Sequence, residues 1–245
     1  MYSGYDRGMN SLDVVIWDWN GTLLDDRWLC IDVVNGMLRR RGLTPLTEER
    51  YLEIFRFPVV DYYELAGFDF KTEPFADLAV EYLAEYDARV GECSLHREAA
   101  SIVERLAGRG VRQVILSASK QESLEDAVRN TGIDHHFSVL RGLADGHAVS
   151  KVDAGRQLIA DLAASPDRTI MIGDTDHDVE VAEAIGIAIH LVSGGHQSRD
   201  RLAATARPVY KTLPEFADAI ATRISWEGAK KAGRETRLDV RGETR

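Results

Sequence analysis

Short apolar runs, each followed by a polar residue or a glycine, alternate with helical patterns along this chain. The runs are rich in β-branched residues and too short for helices, so they read as buried strands. Strands that alternate with helices predict a parallel sheet, because a crossover must return the chain between parallel neighbours. The predicted strands are Val14–Trp17 and residues 114–116, 137–140, 169–172, 187–192 and 209–210.

Helical patterns fill the gaps between the later strands. They cover residues 98–107, 120–130, 151–163 and 176–185. Ser119 and Glu122 form a capping-box signature, Ser150 is expected to cap the third helix, and Gly186 ends the fourth. The predicted fold class is therefore α/β, a doubly wound parallel sheet with helices on both faces. Such sheets carry their sites at the carboxyl ends of the strands.

Residues from Arg27 to about Val90 break this alternation, because only helical patterns occur there. Thr47 is expected to cap one helix, and Pro58 suits the first turn of another. An apolar stripe on the first helix comprises Trp28, Ile31, Val34 and Leu38, and a further amphipathic pattern covers residues 75–86. We interpret this segment as a helical insertion between the first strand and the rest of the sheet.

These patterns predict a division of the chain into a sheet core and a helical cap. The core is expected to comprise residues 12–26 and 92–220, and the cap residues 27–91. Residues 1–11 and 225–245 are expected to be flexible tails, because the first is polar and the second highly charged.

The charge balance narrows the partners that the chain could bind. Its 30 Lys and Arg residues against 40 Asp and Glu give a net charge of −10, which argues against nucleic acid or an anionic membrane as a partner. Cys30 and Cys93 lack disulfide or metal-site spacing and are expected to be buried. With no signal-peptide stretch and no bilayer-length apolar run, a cytoplasmic location is predicted. Oligomeric state is not predicted.

Asp18 directly follows the first strand and precedes the turn Trp19-Asn20-Gly21-Thr22. A carboxylate at a strand end is suited to chemistry at the edge of the sheet. An Asn-Gly hairpin turn is the alternative, since this pair favours type I′ turns. The acids from Asp174 to Asp178, together with Ser117 and Lys151, favour a chemical role for Asp18 over a hairpin turn.

Three acids, Asp174, Asp176 and Asp178, follow the strand at residues 169–172. Helix capping would account for one of them. Clustered carboxylates are costly without a compensating cation, and oxygen-only ligands favour Mg²⁺. Ser117 ends another strand just before a helix, and helix N-termini bind anions. Lys151 lies at the start of a helix, where its positive charge is unfavourable unless a phosphate or Asp178 compensates that charge. Together they predict a magnesium-dependent site that handles phosphoryl groups.

In order along the chain, these features resemble the motifs of the haloacid dehalogenase-like hydrolase superfamily. Its first motif, Asp-x-Asp-x-Thr/Val, is similar to Asp18-Trp-Asn20-Gly-Thr22, and its second, a serine or threonine after the second strand, to Ser117. The helical insertion resembles the cap of the phosphoglycolate-phosphatase-like branch. The resemblance extends over about residues 12–215 and implies a Rossmann-like core.

The superfamily's third and fourth motifs, a lysine and Gly-Asp-x-x-x-Asp, correspond to Lys151 and to the stretch from Gly173-Asp174 to Asp178. By this resemblance Asp18 attacks phosphorus and forms an aspartyl-phosphate. It also implies that Mg²⁺ is held by Asp18, Asp174 and the main-chain carbonyl of Asn20. Asp178 orients Lys151 or a metal-bound water.

The resemblance also implies a phosphate cradle of Ser117, Ala118, Lys151, Gly21 and Thr22, and a small phosphorylated metabolite as the substrate. The cap would exclude water and select that substrate. Arg56 and Tyr63 are candidates to touch the leaving group, and Arg56 would suit a carboxylate or a second phosphate.

Asn20 departs from the motif, because the phosphatases carry there an aspartate that protonates the leaving oxygen and later activates water. An amide does neither, and general acid–base help is typically worth roughly 10²–10⁴-fold. A substrate with a good leaving group, a replacement acid such as His196, or a phospho-ligand-binding protein with little turnover would each account for it. Metal-independent dehalogenation is the remaining alternative, which the paired Asp174 and Asp178 disfavour.

Overall fold

The computed structural model describes residues 12–143 and 150–221, and the two predicted tails lie outside these ranges. Six parallel strands form one sheet in the order β5-β4-β1-β6-β7-β8, and β2 pairs with β3 as a separate antiparallel ribbon. The strands are β1 (Val14–Trp17), β2 (Leu24–Asp25), β3 (Ser94–Leu95), β4 (Arg112–Lys120), β5 (Phe137–Leu143), β6 (Thr169–Gly173), β7 (Ala188–Val192) and β8 (Val209–Tyr210). The predicted fold class is confirmed.

Helices cover both faces of the sheet and fill the segment after β2. They are α1 (Arg27–Arg40), α2 (Glu48–Ile54), α3 (Val59–Ala66), α4 (Phe75–Arg89), α5 (Ala99–Ala107), α6 (Gln121–Thr131), α7 (Lys151–Leu162), α8 (Asp176–Ile185), α9 (Arg199–Ala204) and α10 (Leu213–Ala221). Helices α5, α6 and α10 pack on one face, and α7, α8 and α9 on the other.

Strand β1 lies between β4 and β6 and is buried on both sides, which its unbroken apolar sequence requires. Alternate residues point to opposite faces: Val15 and Trp17 join one apolar core, and Val14 and Ile16 join the other. The residue that follows β1 is therefore held at the centre of the carboxyl edge.

Helices α1 to α4, which we call the cap helices, enclose a third apolar core over the carboxyl edge. Thr47 caps α2 as predicted, and Pro58 immediately precedes α3. The predicted stripe on α1 is partly wrong: Trp28 is 42% exposed, with the Arg89 guanidinium over its ring, while Leu29 is fully buried. The buried arc of α1 is displaced by about one residue from the predicted stripe, which apolar spacing alone does not resolve.

Ser119 does not cap a helix, because β4 continues to Lys120 and α6 begins only at Gln121. The register between β4 and β5 is irregular from Leu116 to Lys120, and Ser119 is turned toward the site described below. Cys30 is buried as predicted, but Cys93 is only half-buried. No helix among the described residues is long and apolar enough to cross a bilayer.

Candidate active site

Asp18 lies at the end of the central strand, level with the end of β6. Its backbone N–H donates to the Ile172 carbonyl at 2.8 Å, and Trp17 is in register with Ile172. Asp174, the second residue after Ile172, is thereby brought to the same edge. The strand ends that the sequence pattern singles out thus meet in space.

Lys151 connects two of the acids. Its Nζ donates to an oxygen of Asp18 and, at 2.6 Å, to Oδ1 of Asp178, and all three side chains are buried. The other oxygen of Asp178 accepts from the backbone and hydroxyl of Thr175, which closes a capping box at the start of α8. Asp178 is thereby fixed as the partner that positions Lys151.

The carboxylates of this cluster outnumber its lysine. Burial raises the pKa of Asp18, the charge of Lys151 lowers it, and the neighbouring Asp178 and Asp174 raise it. The net result is a pKa well above the usual value of an aspartate. Burial also raises the pKa of Asp174. Oxygens of Asp18, Asp174 and Asp178 lie within 4.8 Å of one another. A hard divalent cation would fit this oxygen-only set, because it would balance the uncompensated charge.

Asp174 is held close to the backbone by two glycines. Its Oδ1 accepts from the Thr22 hydroxyl at 2.9 Å and its Oδ2 from the His196 backbone N–H at 2.6 Å. A Cβ on Gly195 would lie 2.1 Å from Oδ2, and one on Gly21, whose φ is +75°, would lie 2.5 Å from it. Thr22 was predicted to bind phosphate, whereas its hydroxyl positions Asp174.

Asn20 is fixed by hydrogen bonds from both ends of its amide. Nδ2 donates to Asp26 at 2.9 Å and to the Tyr86 hydroxyl at 2.7 Å. Oδ1 accepts from the hydroxyls of Ser119 at 2.7 Å and Ser117 at 3.4 Å. The amide is part of the wall of the site, and it has no proton to give at neutral pH.

Asp26 is a site residue that no motif or pattern in the sequence indicates. It is fully buried and accepts from Gly21 N at 2.8 Å, from the Tyr86 hydroxyl at 2.7 Å and from Asn20, and it pairs with His196 Nε2 at 3.2 Å. Burial raises the pKa of Asp26, but His196, Tyr86 and Asn20 outweigh burial and bring it to about 2.

His196 is the cation of this second charge cluster. Burial lowers its pKa, but Asp26 and, less strongly, Asp174 raise it to about 9. Its Nδ1 shares a hydrogen bond of 2.9 Å with the Tyr51 hydroxyl of α2. Cys30 also lies close to the Asp26–His196 pair, but both ring nitrogens of His196 are already bound, to Asp26 and to the Tyr51 hydroxyl. We therefore interpret this cluster as an ion pair that joins core and cap helices.

Replacing Asp26 with asparagine is expected to lower the free energy of unfolding by about 2–3 kcal/mol, because a buried imidazolium loses its counter-ion. Asp25→Asn, one residue earlier and exposed, is the matched control and should change it by less than about 0.5 kcal/mol. Urea unfolding at pH 7 measures both. Equal effects of the two changes would contradict the assigned ion pair.

A cavity of about 240 Å³ lies between this edge and the cap helices. The predicted site residues that line it are Asp18, Asn20, Ala118, Lys151, Asp174, Asp178 and Tyr63. Ser117, Gly21 and Thr22 lie behind this lining, where they position its members. Arg56, predicted to touch the leaving group, does not line the cavity, and its Nε donates to the Ile54 carbonyl at 3.2 Å.

The loop after β7 and helix α9 hold the cap helices over the site. Arg201 donates to the Phe55 carbonyl at 2.6 Å and pairs with Asp176 at 2.7 Å, and Gln197 donates to the same carbonyl at 3.3 Å. Asp176, the middle acid of the three at the start of α8, therefore contributes to the contact between core and cap helices rather than to the cluster around Lys151.

A buried aspartate after the central strand, joined through a lysine to the acidic start of a later helix, is the candidate active site of this α/β fold. The family model for haloacid dehalogenase-like hydrolases matches residues 15–192. The chain belongs to this family of enzymes, and the predicted resemblance is confirmed.

Relatives carry several activities in their names. The tyrosine-protein kinase PtkA of Mycobacterium tuberculosis is 28% identical over 215 residues, which cover 86% of this chain and 73% of PtkA. The phosphoglycolate phosphatase of Synechococcus elongatus is 25% identical over 197 residues, covering 79% and 89% of the two chains. It supports the predicted phosphoglycolate-phosphatase-like branch.

Solved structures show the same fold. The structure of PtkA from M. tuberculosis superposes with a TM-score of 0.72 at 28% identity, covering 86% of this chain and 98% of that one. A predicted phosphatase from Clostridium acetobutylicum gives a TM-score of 0.75 at 20% identity and covers 86% and 99%.

Proposed function

We propose that this protein is a Mg²⁺-dependent phosphohydrolase that cleaves a small phosphorylated compound through an aspartyl-phosphate at Asp18. The observation that carries the proposal is the position of Asp18, buried at the central strand end, bound to Lys151 and facing the cavity. The phosphoryl-related names of the relatives support it. The unpaired Cys30 and Cys93 suit a reducing, cytoplasmic setting.

An oxygen of Asp18 would attack phosphorus while the leaving oxygen departs with its electron pair. Lys151 would bind the transferring phosphoryl oxygens, and Asp178 would keep it in place. Asp18, Asp174 and the Asn20 main-chain carbonyl would hold Mg²⁺, which supplies charge stabilisation when bound. Water then releases phosphate from the aspartyl-phosphate and restores Asp18.

Asn20 bears on both steps, since neither the departing oxygen nor the attacking water receives acid–base help from an amide. The hydrogen bonds that tie up its amide favour slow hydrolysis of the aspartyl-phosphate. This observation also favours the second candidate, a protein that binds a phosphorylated ligand with little turnover.

Metal removal tests the proposal. With acetyl phosphate as substrate, EDTA should abolish phosphate release, and excess Mg²⁺ should restore it. Ca²⁺ should restore little, because it prefers more ligands at longer distances. Activity that persists in EDTA would contradict the proposal, and EDTA-resistant halide release from a 2-haloacid would favour a dehalogenase. Mg²⁺-dependent binding of inorganic phosphate without turnover would favour the second candidate.

A further inference from the structure

The cap side of the cavity is uncharged. Every described residue that the cap helices and their connecting loops contribute to the lining is neutral, and seven of these residues are aromatic. The charged residues of the lining all come from outside the cap helices. Because the cap side faces the part of a substrate that lies beyond the phosphoryl group, its chemistry selects the leaving group.

The aromatic rings form one continuous wall. Phe55 contacts Tyr62 with ring centroids 5.3 Å apart, Tyr62 contacts Tyr63 at 5.6 Å, and Tyr63 contacts Tyr82 at 6.4 Å. Tyr82 stacks on Tyr86 at 5.8 Å, and the Tyr86 hydroxyl bonds to Asp26 in the core. Rings that already hold one another in place present a preformed apolar surface, to which a planar ring can pack with little ordering cost.

The cations that line the cavity are already paired. Lys151 is bound between Asp18 and Asp178, and His196 is paired with Asp26. Neither remains to bind a carboxylate or a second phosphate at the cap side. An anionic leaving group would meet several buried carboxylates and no spare positive charge among the described lining residues, so the leaving group should be neutral.

Asn20 sets a second, independent condition on the leaving group. The replacement acid considered from the sequence, His196, has both ring nitrogens bound, to Asp26 and to the Tyr51 hydroxyl. Without an acid beside the departing oxygen, the P–O bond breaks readily only when the leaving oxygen is stable as an anion. A phenol, with a pKa of about 10, meets this condition. An aliphatic alcohol, with a pKa of about 16, close to that of water, does not.

We propose that the substrate class is the phosphate monoester of a phenol, with its ring packed on the aromatic wall; this inference rests on the proposed function. The cavity volume of about 240 Å³ suits a single ring, since the pockets that bind drug-sized ligands measure about 300–1,000 Å³. Asp18 forms a bond to phosphorus as the bond to the phenolic oxygen breaks. The phenoxide leaves with the electron pair and takes a proton from water, and a second water hydrolyses the aspartyl-phosphate to free Asp18 and inorganic phosphate.

Four substrates separate ring recognition from leaving-group chemistry. Phenyl phosphate has a ring and a good leaving group, benzyl phosphate a ring alone, acetyl phosphate a good leaving group alone, and 2-phosphoglycolate neither. Because kcat/KM reports steps up to formation of the aspartyl-phosphate, phenyl phosphate should exceed benzyl phosphate by about 100-fold or more. Benzyl phosphate should exceed 2-phosphoglycolate by about 10-fold, the value of burying part of a ring, because both have an aliphatic leaving oxygen.

Leu83 tests the charge argument, because it lines the cavity from α4 and is 37% exposed. Leu83→Arg supplies the missing cation and should raise kcat/KM for 2-phosphoglycolate about 10-fold. The control Val80→Arg lies on the same helix, 68% exposed and outside the cavity lining, and should match wild type. An unchanged value in Leu83→Arg would count against a cap side that excludes anions by charge.

The outcomes distinguish this inference from the proposed function. If acetyl phosphate is cleaved in a Mg²⁺-dependent manner but benzyl phosphate is not preferred over 2-phosphoglycolate, or 2-phosphoglycolate is preferred over phenyl phosphate, the phenolic class is overturned and the hydrolase remains. If benzyl and phenyl phosphate react equally, an acid is present and the leaving-group argument is wrong. If none of the four is cleaved, both proposals fail together.

Discussion

Asp18→Asn is expected to lower kcat for acetyl phosphate by about 10⁴-fold or more, because an amide cannot form the phosphoryl ester on which turnover depends. The same change is expected to raise the melting temperature of the metal-free protein. Asparagine has the shape of aspartate, so the two effects can be assigned to charge. Loss of function together with gain of stability would mark Asp18 as a residue kept for chemistry at a cost to folding.

The gain in stability follows from the charges around Asp18. In the metal-free protein Lys151 is shared between Asp18 and Asp178, and Asp174 adds a further buried carboxylate. Burial and like charges raise the pKa of Asp18, so its ionised form at pH 7 opposes folding. Asparagine removes that charge, while Lys151 keeps Asp178 as its partner.

Thermal unfolding with and without Mg²⁺ measures this prediction. Without Mg²⁺, Asp18→Asn should melt above wild type, at about 2–4 °C for each kcal/mol gained in a chain of this size. Added Mg²⁺ should stabilise wild type more than the variant, because only wild type keeps the full ligand set. The exposed Asp25→Asn should behave as wild type in both conditions. A lower melting temperature in metal-free Asp18→Asn would show that the Lys151 contact outweighs the repulsion.

Much of the sheet and the first charge cluster could be predicted from the sequence, because their signals are local. Val14–Trp17 is an unbroken apolar run, and Asp18 and Asp174 follow strands directly. A rule that places sites at the carboxyl ends of parallel strands then brings distant residues together without knowledge of the strand order. The central position of β1 was not predicted, since it depends on which strands pair.

The second cluster could not be predicted, because its contacts depend on how the cap helices sit on the core. Asp25 and Asp26 are equivalent in the pattern, yet only Asp26 is buried, and its partner Tyr86 lies 60 residues away. Ser119 has the sequence of a helix cap, but the Asn20 amide competes for its hydroxyl and β4 extends past it. Arg56 is the converse case, since it is close in sequence to the cavity-lining Phe55 and Phe57 but donates to the backbone and does not line the cavity.

Asn20→Asp is expected to raise kcat for phenyl phosphate by about 100-fold, because it restores the acid–base group that acts on the aspartyl-phosphate. The structure adds a cost to this change. Asn20 Nδ2 lies 2.9 Å from an oxygen of Asp26, so a carboxylate at position 20 would face a buried carboxylate at hydrogen-bond distance. The like charges should raise the pKa of the new acid and lower the melting temperature of the single variant.

The double variant Asn20→Asp/Asp26→Asn separates the catalytic gain from this cost, because it exchanges carboxylate and amide and restores a donor between positions 20 and 26. We expect it to keep the gain in kcat and to have less destabilisation than the sum of the two single changes, as a double-mutant cycle would measure. In wild type a burst of phenol equal to the enzyme concentration should precede slow turnover. The burst should disappear in Asn20→Asp and in the double variant, because dephosphorylation no longer limits the rate. If wild type shows no burst and Asn20→Asp leaves kcat unchanged, hydrolysis of the aspartyl-phosphate is not limited by the missing acid, and another group near the cavity must activate water.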